Sequence, residues 1–319
     1  MIFFNKNISG KKYLNAFAAY SSILLFIVIL INIKGLFFDD FLGNHLLYTY
    51  QLNKIKNEES VETIFVGDSS LGNSIDAEYF SKLSGGKSLN LSLTGSYGFA
   101  GSYNMIKKSI SLSVKNVVLM QTLDMFKRPT SYSGYLFTLG SFGGIEELTA
   151  NEKVKLWTAF YTLILSPGNL KPIVKNYLGI RTSRSRIEND YIKQEGKLRI
   201  KAQLNAGGIN KDKIRFLKKM IMYCSKNGIN FIHIHGPILD KVGINSAEYI
   251  NEVNNFLLTN NIRNINNVTL IEEEHLGNRE DHVSAKYKKH YTEKYFRLLK
   301  PHLKIEHNKD ADPAKTKKD

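Results

Sequence analysis

Thr63-Ile64-Phe65-Val66-Gly67-Asp68-Ser69-Ser70-Leu71-Gly72-Asn73-Ser74 is the stretch whose reading decides the fold. Four residues suited to a pleated strand, Thr63 to Val66, stop at Gly67, and three small polar residues lead into a segment compatible with a helix. The pattern predicts a strand-to-helix turn that presents Ser69. At the carboxyl end of a strand in an open parallel sheet, side chains and backbone N–H groups converge on the crevice where ligands bind. The same residues also suit an ordinary turn and helix cap, so the motif needs partners elsewhere in the chain before it carries chemistry. Asp68 is read as structural, a cap or turn-fixing residue.

Outward from this turn, five short β-rich runs alternate with helical stretches: Thr63 to Val66, Ser88 to Leu93, Asn116 to Met120, Asn230 to His235 and Asn267 to Ile271. Such alternation predicts a three-layer α/β domain whose parallel sheet is covered on both faces, over residues 61–304. A long insert at about 126–210 follows the third run. It is Gly-rich and aromatic at first, then helical around Trp157, then basic at Arg181, Arg184, Arg186, Lys193, Lys197, Arg199 and Lys201. At the carboxyl end of a strand such an insert is expected to lie over the crevice. Its basic residues read equally as a solvated face or as a contact for an anionic substrate or membrane surface.

Before the domain, Leu14 to Ile33 run about 20 residues without a charge, the length that crosses a bilayer's hydrocarbon core. Lys6, Lys11 and Lys12 precede it, and Asp39 and Asp40 follow, which predicts a cytoplasmic segment 1–13, an uncleaved signal anchor 14–33 and an extracytoplasmic domain. Residues 34–60 read as a connector and 305–319 as a disordered tail. The +15 net charge suits nucleic acid, an anionic membrane or acidic glycans. No nucleic-acid-binding signature accompanies it, so nucleic acid is not an expected partner. Cys224 is the only cysteine, which excludes an intramolecular disulfide and a cysteine-based metal site and suits a buried thiol. His233 and His235 are read as facing opposite sides of the fourth strand and so unable to share a metal.

A serine acts as a nucleophile when a base lies within hydrogen-bond reach and donors await the oxyanion. Two later turns supply candidates. Asn90-Leu91-Ser92-Leu93-Thr94-Gly95-Ser96 ends the second strand, and Gly95 either brings a backbone N–H to the crevice or simply shapes the turn. Arg279-Glu280-Asp281-His282-Val283-Ser284, ahead of the last helix, puts His282 where a general base for Ser69 is needed.

In order and spacing, Gly67-Asp68-Ser69, the Asn90 to Gly95 turn and Asp281-His282-Val283-Ser284 resemble the first, second and last blocks of the SGNH or GDSL hydrolase superfamily. The resemblance spans roughly residues 61 to 300 and is close only at the first block. It implies a flavodoxin-like sheet, Ser69 as nucleophile, His282 as base, the N–H groups of Ser69 and Gly95 as oxyanion donors, and no metal or organic cofactor. Two positions depart from the family pattern. Gln121-Thr122-Leu123-Asp124 stands where an oxyanion asparagine is usual, and Arg279 stands where the family's acid precedes the histidine, leaving Asp281, Glu280 or a backbone carbonyl to orient the imidazole. Membrane-anchored members of the superfamily add or remove O-acyl groups on cell-envelope glycans. The resemblance therefore implies a serine-dependent O-acyl, in the first instance acetyl, transferase or esterase acting on an envelope polysaccharide, for which the basic insert suits an anionic glycan, alongside other polysaccharide-modification proteins. A catalytically weak scaffold with the same fold is the alternative.

Overall fold

The computed structural model describes residues 10–33, 45–139, 142–165, 186–188, 191–193 and 200–304. Residues 1–9 of the segment expected to be cytoplasmic, the first part of the expected connector, Arg181, Arg184, Lys197 and Arg199 of the insert, and the tail from 305 lie outside them. A five-stranded parallel sheet forms the centre, from β1 (Thr63–Gly67), β2 (Ser88–Ser92), β3 (Asn116–Gln121), β4 (Asn230–His235) and β5 (Asn264–Ile265). Their order is β2-β1-β3-β4-β5, the flavodoxin-like doubly wound arrangement. In such a sheet the connections reverse direction between β1 and β3, and the crevice opens there. The residues after Gly67 therefore enter the crevice.

Every residue of β1, β2, β3 and β4 is buried, because helices cover both faces. Side-chain alternation sorts them into two cores. Ile64, Val66, Leu89, Leu91, Val117, Leu119 and Phe231 pack on one side with residues of α5 (Gly98–Lys108), α8 (Lys213–Lys226) and α10 (Ala247–Thr259). Phe65, Val118, Met120, Ile232 and Ile234 pack on the other with Leu71, Phe80, Tyr295 and Leu299. These last four come from α3 (Ser69–Ser74), α4 (Ala77–Ser84) and α11 (Lys288–Leu299). Cys224 lies fully buried on α8, and burial pushes its thiol up to about 12.

Gly67 ends β1 because nothing larger fits. A Cβ there would stand 1.7 Å from the Met120 carbonyl oxygen on β3. The contact is with backbone of a central strand, so relaxation must move the sheet itself. Gly67→Ala is expected to lower unfolding free energy by about 3 kcal/mol, read from the shift in a denaturant midpoint. A loss below about 0.5 kcal/mol would contradict this packing.

Three readings of the sequence change. The fifth strand of the sheet is Asn264–Ile265 and not the apolar run ending at Ile271. Leu270–Ile271 instead pairs in parallel with Ile238–Leu239, beyond the Gly236-Pro237 break that ends β4. A polar side-chain contact accompanies the β5 pairing, since His233 Nδ1 meets Asn264 Oδ1 at 2.7 Å. His233 and His235 share one face, as residues two apart on a strand must, and their rings meet edge to face with centroids 5.3 Å apart. Burial lowers their pKa values to about 3 and about 4, so both are neutral packing residues, with His235 Nε2 2.7 Å from Asn254 Oδ1. The second half of the expected connector is α2 (His45–Lys56), which docks on the domain through buried Leu47, Tyr48 and Ile55 and a Gln51 Nε2 hydrogen bond to the Ser92 carbonyl.

The insert divides. Its first part is structural: α6 (Tyr132–Leu139) and α7 (Ala150–Leu165) extend the core, with Tyr135, Leu136, Leu156 and Phe160 buried. Its antiparallel ribbon, Arg186–Glu188 with Tyr191–Lys193, packs against α3. Lys201 then reaches Asp124 at 2.6 Å.

The N-terminal apolar run forms α1 (Gly10–Ile33). Among the described residues no helix is long and apolar enough to cross a membrane, and the side chains of α1 are described only at 10, 12–23 and 26. Within that part Leu14, Phe17, Tyr20, Ile23 and Phe26 are all exposed.

Candidate active site

The local sequence builds the nucleophile turn from its cap. Asp68 leaves β1 in extended conformation, and its Oδ1 accepts from the Ser70 N–H at 3.0 Å and the Ser70 hydroxyl at 2.6 Å, so it is the N-cap of α3. Its Oδ2 accepts from the Thr122 N–H at 3.0 Å. One carboxylate thus joins the carboxyl ends of β1 and β3. Burial, with Asp281 adding like-charge repulsion, raises the Asp68 pKa to about 6. Ser69 is the first residue of the helix, where helical geometry offers its N–H no intrahelical carbonyl. Its side chain is buried and 2.9 Å from His282.

His282 is fixed by a tight loop. Leu276 bridges Val283 in antiparallel fashion, the Gly277 N–H donates to the His282 carbonyl at 2.7 Å, and the Ser284 N–H donates to the His275 carbonyl at 2.9 Å. The imidazole is fully buried, its Nε2 facing Ser69 Oγ and its Nδ1 2.6 Å from Asn278 Oδ1. An amide oxygen only accepts, so that contact requires the proton on Nδ1 and leaves the Nε2 lone pair for the serine hydroxyl. The structure therefore brings Ser69 and His282 together across 213 positions of sequence, in the geometry a general base requires.

Asp281 is not the orienting group. Its Oδ1 lies 3.6 Å from Nε2, on the serine side of the ring, and has no hydrogen-bond partner. It can favour an imidazolium electrostatically, but it cannot select the tautomer. Glu280 does not fill that place either; its carboxylate lies 3.9 Å from Lys201. Asn278, which the sequence reading missed, takes the position. The missed signal is the Gly277-Asn278 pair, a turn dipeptide four residues before the histidine and one residue ahead of Arg279, where the acid was sought.

Gly95 lies half-buried in the turn after β2, where the Tyr97 N–H donates to the Thr94 carbonyl at 3.0 Å. A Cβ on Gly95 would stand 2.5 Å from an Arg128 guanidinium nitrogen, so the glycine admits that cation. Arg128 is held 2.8 Å from the Asp124 carboxylate, and Asp124, Asp68 and Asp281 all favour its charged form against the burial that opposes it. Neither residue at the usual oxyanion-asparagine position donates toward Ser69 through the contacts seen. Gln121 Nε2 donates to Ser102 Oγ at 2.9 Å, and the Thr122 N–H goes to Asp68.

Burial holds the His282 pKa below the ordinary imidazole value; Asp281 pulls it up and Arg279 pushes it down. Protonated His282 cannot accept the serine proton. The acid limb of a kcat/KM profile is therefore expected below pH 6.5, and Asp281→Asn is expected to shift it lower still, because the carboxylate that favours the imidazolium is gone. A limb that moved up in Asp281→Asn would overturn this electrostatic picture.

No protein-family model matches the chain. No curated protein matches it either. Among solved structures, it is similar to a protein described as lipolytic, of the G-D-S-L family, from Desulfitobacterium hafniense DCB-2, at 12% identity over 75% of this chain and 100% of that one, with a TM-score of 0.37. It is also similar to a protein described as an acylhydrolase from Bacteroides fragilis NCTC 9343, at 14% identity over 81% and 97% of the two chains, TM-score 0.37. A third similarity is to an acetyl xylan esterase from the rumen bacterium Butyrivibrio proteoclasticus, at 10% identity over 76% and 64%, TM-score 0.30.

Proposed function

We propose that the chain is a serine-dependent O-acyltransferase or O-acyl esterase that works through an acyl-enzyme on a cell-envelope polysaccharide. The observation that carries this reading is the 2.9 Å approach of Ser69 Oγ to His282 Nε2, with Nδ1 held by Asn278. Ser69 attacks the acyl carbonyl while His282 takes its proton, and the same imidazolium then protonates the departing alkoxide. The Ser69 and Gly95 N–H groups receive the oxyanion, and Arg128 brings positive charge to the same rim. Water or a sugar hydroxyl, deprotonated by His282, releases the acyl group. No metal or organic cofactor takes part in this cycle.

The setting is proposed from the sequence and the exposed apolar side chains of α1: a single-pass anchor in the cytoplasmic membrane with the domain on the extracytoplasmic side. The +15 charge suits an anionic glycan and the company of other polysaccharide-modification proteins. The experiment is release or transfer of acetate by the purified full chain in detergent, with O-acetylated envelope polysaccharide as donor and deacetylated glycan as acceptor. Acetate release or transfer that vanishes in Ser69→Ala supports the enzyme; no turnover of any acyl donor contradicts it.

The second reading is a glycan-binding scaffold of the same fold. It is favoured by Gln121 and Thr122, which hydrogen-bond elsewhere and leave the usual asparagine donor unreplaced. Losing one oxyanion donor costs about a hundred- to a thousandfold in rate, which weakens catalysis without abolishing it.

A further inference from the structure

Among the described residues, one cluster of metal-ligating side chains stands apart from the serine, and it lies at the foot of the loop that carries His282. Glu272 and His275 sit three residues apart beside a short 3-10 turn, and His290 sits in the first turn of α11. One ligand atom from each lies within 4.8 Å of the other two. Glu272 divides its carboxylate: Oε1 faces Lys294 at 3.5 Å, and Oε2 faces His275 Nδ1 at 3.8 Å. The His275 ring lies against Tyr287, with centroids 3.8 Å apart, and meets His290 edge to face at 5.6 Å. Stacking thus limits its rotation while one carboxylate oxygen and a second imidazole approach it.

The geometry points to a zinc-class divalent cation site formed by Glu272, His275 and His290, which ties the His282 loop to α11. Two imidazoles and a carboxylate are a donor set for zinc, with metal–ligand distances of about 2.0–2.2 Å and a fourth tetrahedral position left to water. Ligand atoms around such an ion stand about 3.4 Å apart, so closure asks for roughly 1 Å of movement, and Glu272 and His290 are exposed side chains able to make it. Tyr291 ties the two segments together beside the set, its hydroxyl 3.3 Å from His275 Nδ1 and from the Glu272 N–H; with that nitrogen so occupied, His275 Nε2 is the atom left for the ion.

The location gives the ion a structural task. His275 opens the segment closed by the Ser284-to-His275 hydrogen bond, and inside that segment lie Asn278 and His282. Binding the ligands of the loop and of α11 at once lowers the freedom of the loop's base without placing the metal among the reacting atoms. The site differs from the serine chemistry in residues and in role, so either can fail alone.

The test uses the full chain without a histidine tag, in detergent, stripped with a chelator and titrated calorimetrically with zinc chloride. One equivalent is expected to bind. Affinity is expected to fall at least about tenfold in His275→Ala, His290→Ala and Glu272→Gln, and to be unchanged in Ser69→Ala. Zinc is also expected to raise the melting temperature of the wild type by several degrees and to leave that of His290→Ala unmoved. His290 and Glu272 are exposed, so these two variants fold even if His275→Ala does not. Binding well below one equivalent overturns the site. So does affinity within twofold of wild type in His290→Ala or Glu272→Gln.

Discussion

Ser69→Ala is expected to lower the rate of acyl release by about 10⁴-fold or more, with the fold intact. The size follows from what is removed: among the described residues no other hydroxyl is held against His282 Nε2, and the residual rate comes only from binding and oxyanion donors. The variant also loses the Ser69 to His282 hydrogen bond, but it keeps the Asp68 cap, whose partners are Ser70 and Thr122. Stability should therefore change by no more than about 1 kcal/mol. His282→Ala is expected to match the rate loss, and the double variant to be little worse than either, because the pair acts as a unit. Rates measured with a chromogenic acetyl ester read all three. Additive losses in the double variant would show that the two residues do not share a step.

Asn278→Ala is the second large effect. The amide oxygen 2.6 Å from Nδ1 selects the tautomer that leaves Nε2 free to accept. Without it the imidazole populates both tautomers and can rotate, and a drop of about 10²-fold in kcat is expected with KM little changed. The loss is smaller than that seen when a replacement enforces the wrong tautomer, about 10⁴-fold in serine proteases, because alanine imposes none. Asp281→Asn is expected to cost less than about tenfold, since its carboxylate faces Nε2 from 3.6 Å and makes no hydrogen bond through Oδ1. The reverse order, with Asp281 the costlier loss, would return the orienting role to the acid and sink the assignment of Asn278.

What could be read from residues alone was set by how local the signal was. The strands β1 to β4 were legible because each is an uninterrupted run buried on both faces, and the two turns after β1 and β2 because Gly, Asp and Ser mark them. The pairing of Ser69 with His282 was legible as an expectation through the matching places of their loops at strand ends and through the order of blocks, since nothing local in either loop reports a partner 213 positions away. β5 was misplaced because Val268 to Ile271 is the more apolar run, whereas Asn264–Ile265 is a two-residue strand beside His233. Asn278 escaped because attention to charge favoured Asp281 and Glu280, yet a hydrogen bond to Nδ1 needs an acceptor oxygen and not a net charge. α2 was legible as a polar amphipathic segment of the connector, but nothing local reports that its face of Leu47, Tyr48 and Ile55 is buried against the domain. In each case the deciding interaction was tertiary and carried no periodic trace in the chain.

The central claim is that Ser69 forms a covalent bond to an electrophile because His282 takes its proton. Treating the full chain in detergent with a fluorophosphonate and weighing the intact protein and its Ser69 peptide tests that claim directly. The account predicts one adduct per chain on Ser69, absent from Ser69→Ala and slowed severely in His282→Ala. A wild-type chain that gains no mass on Ser69, or labels no faster than His282→Ala, would contradict it.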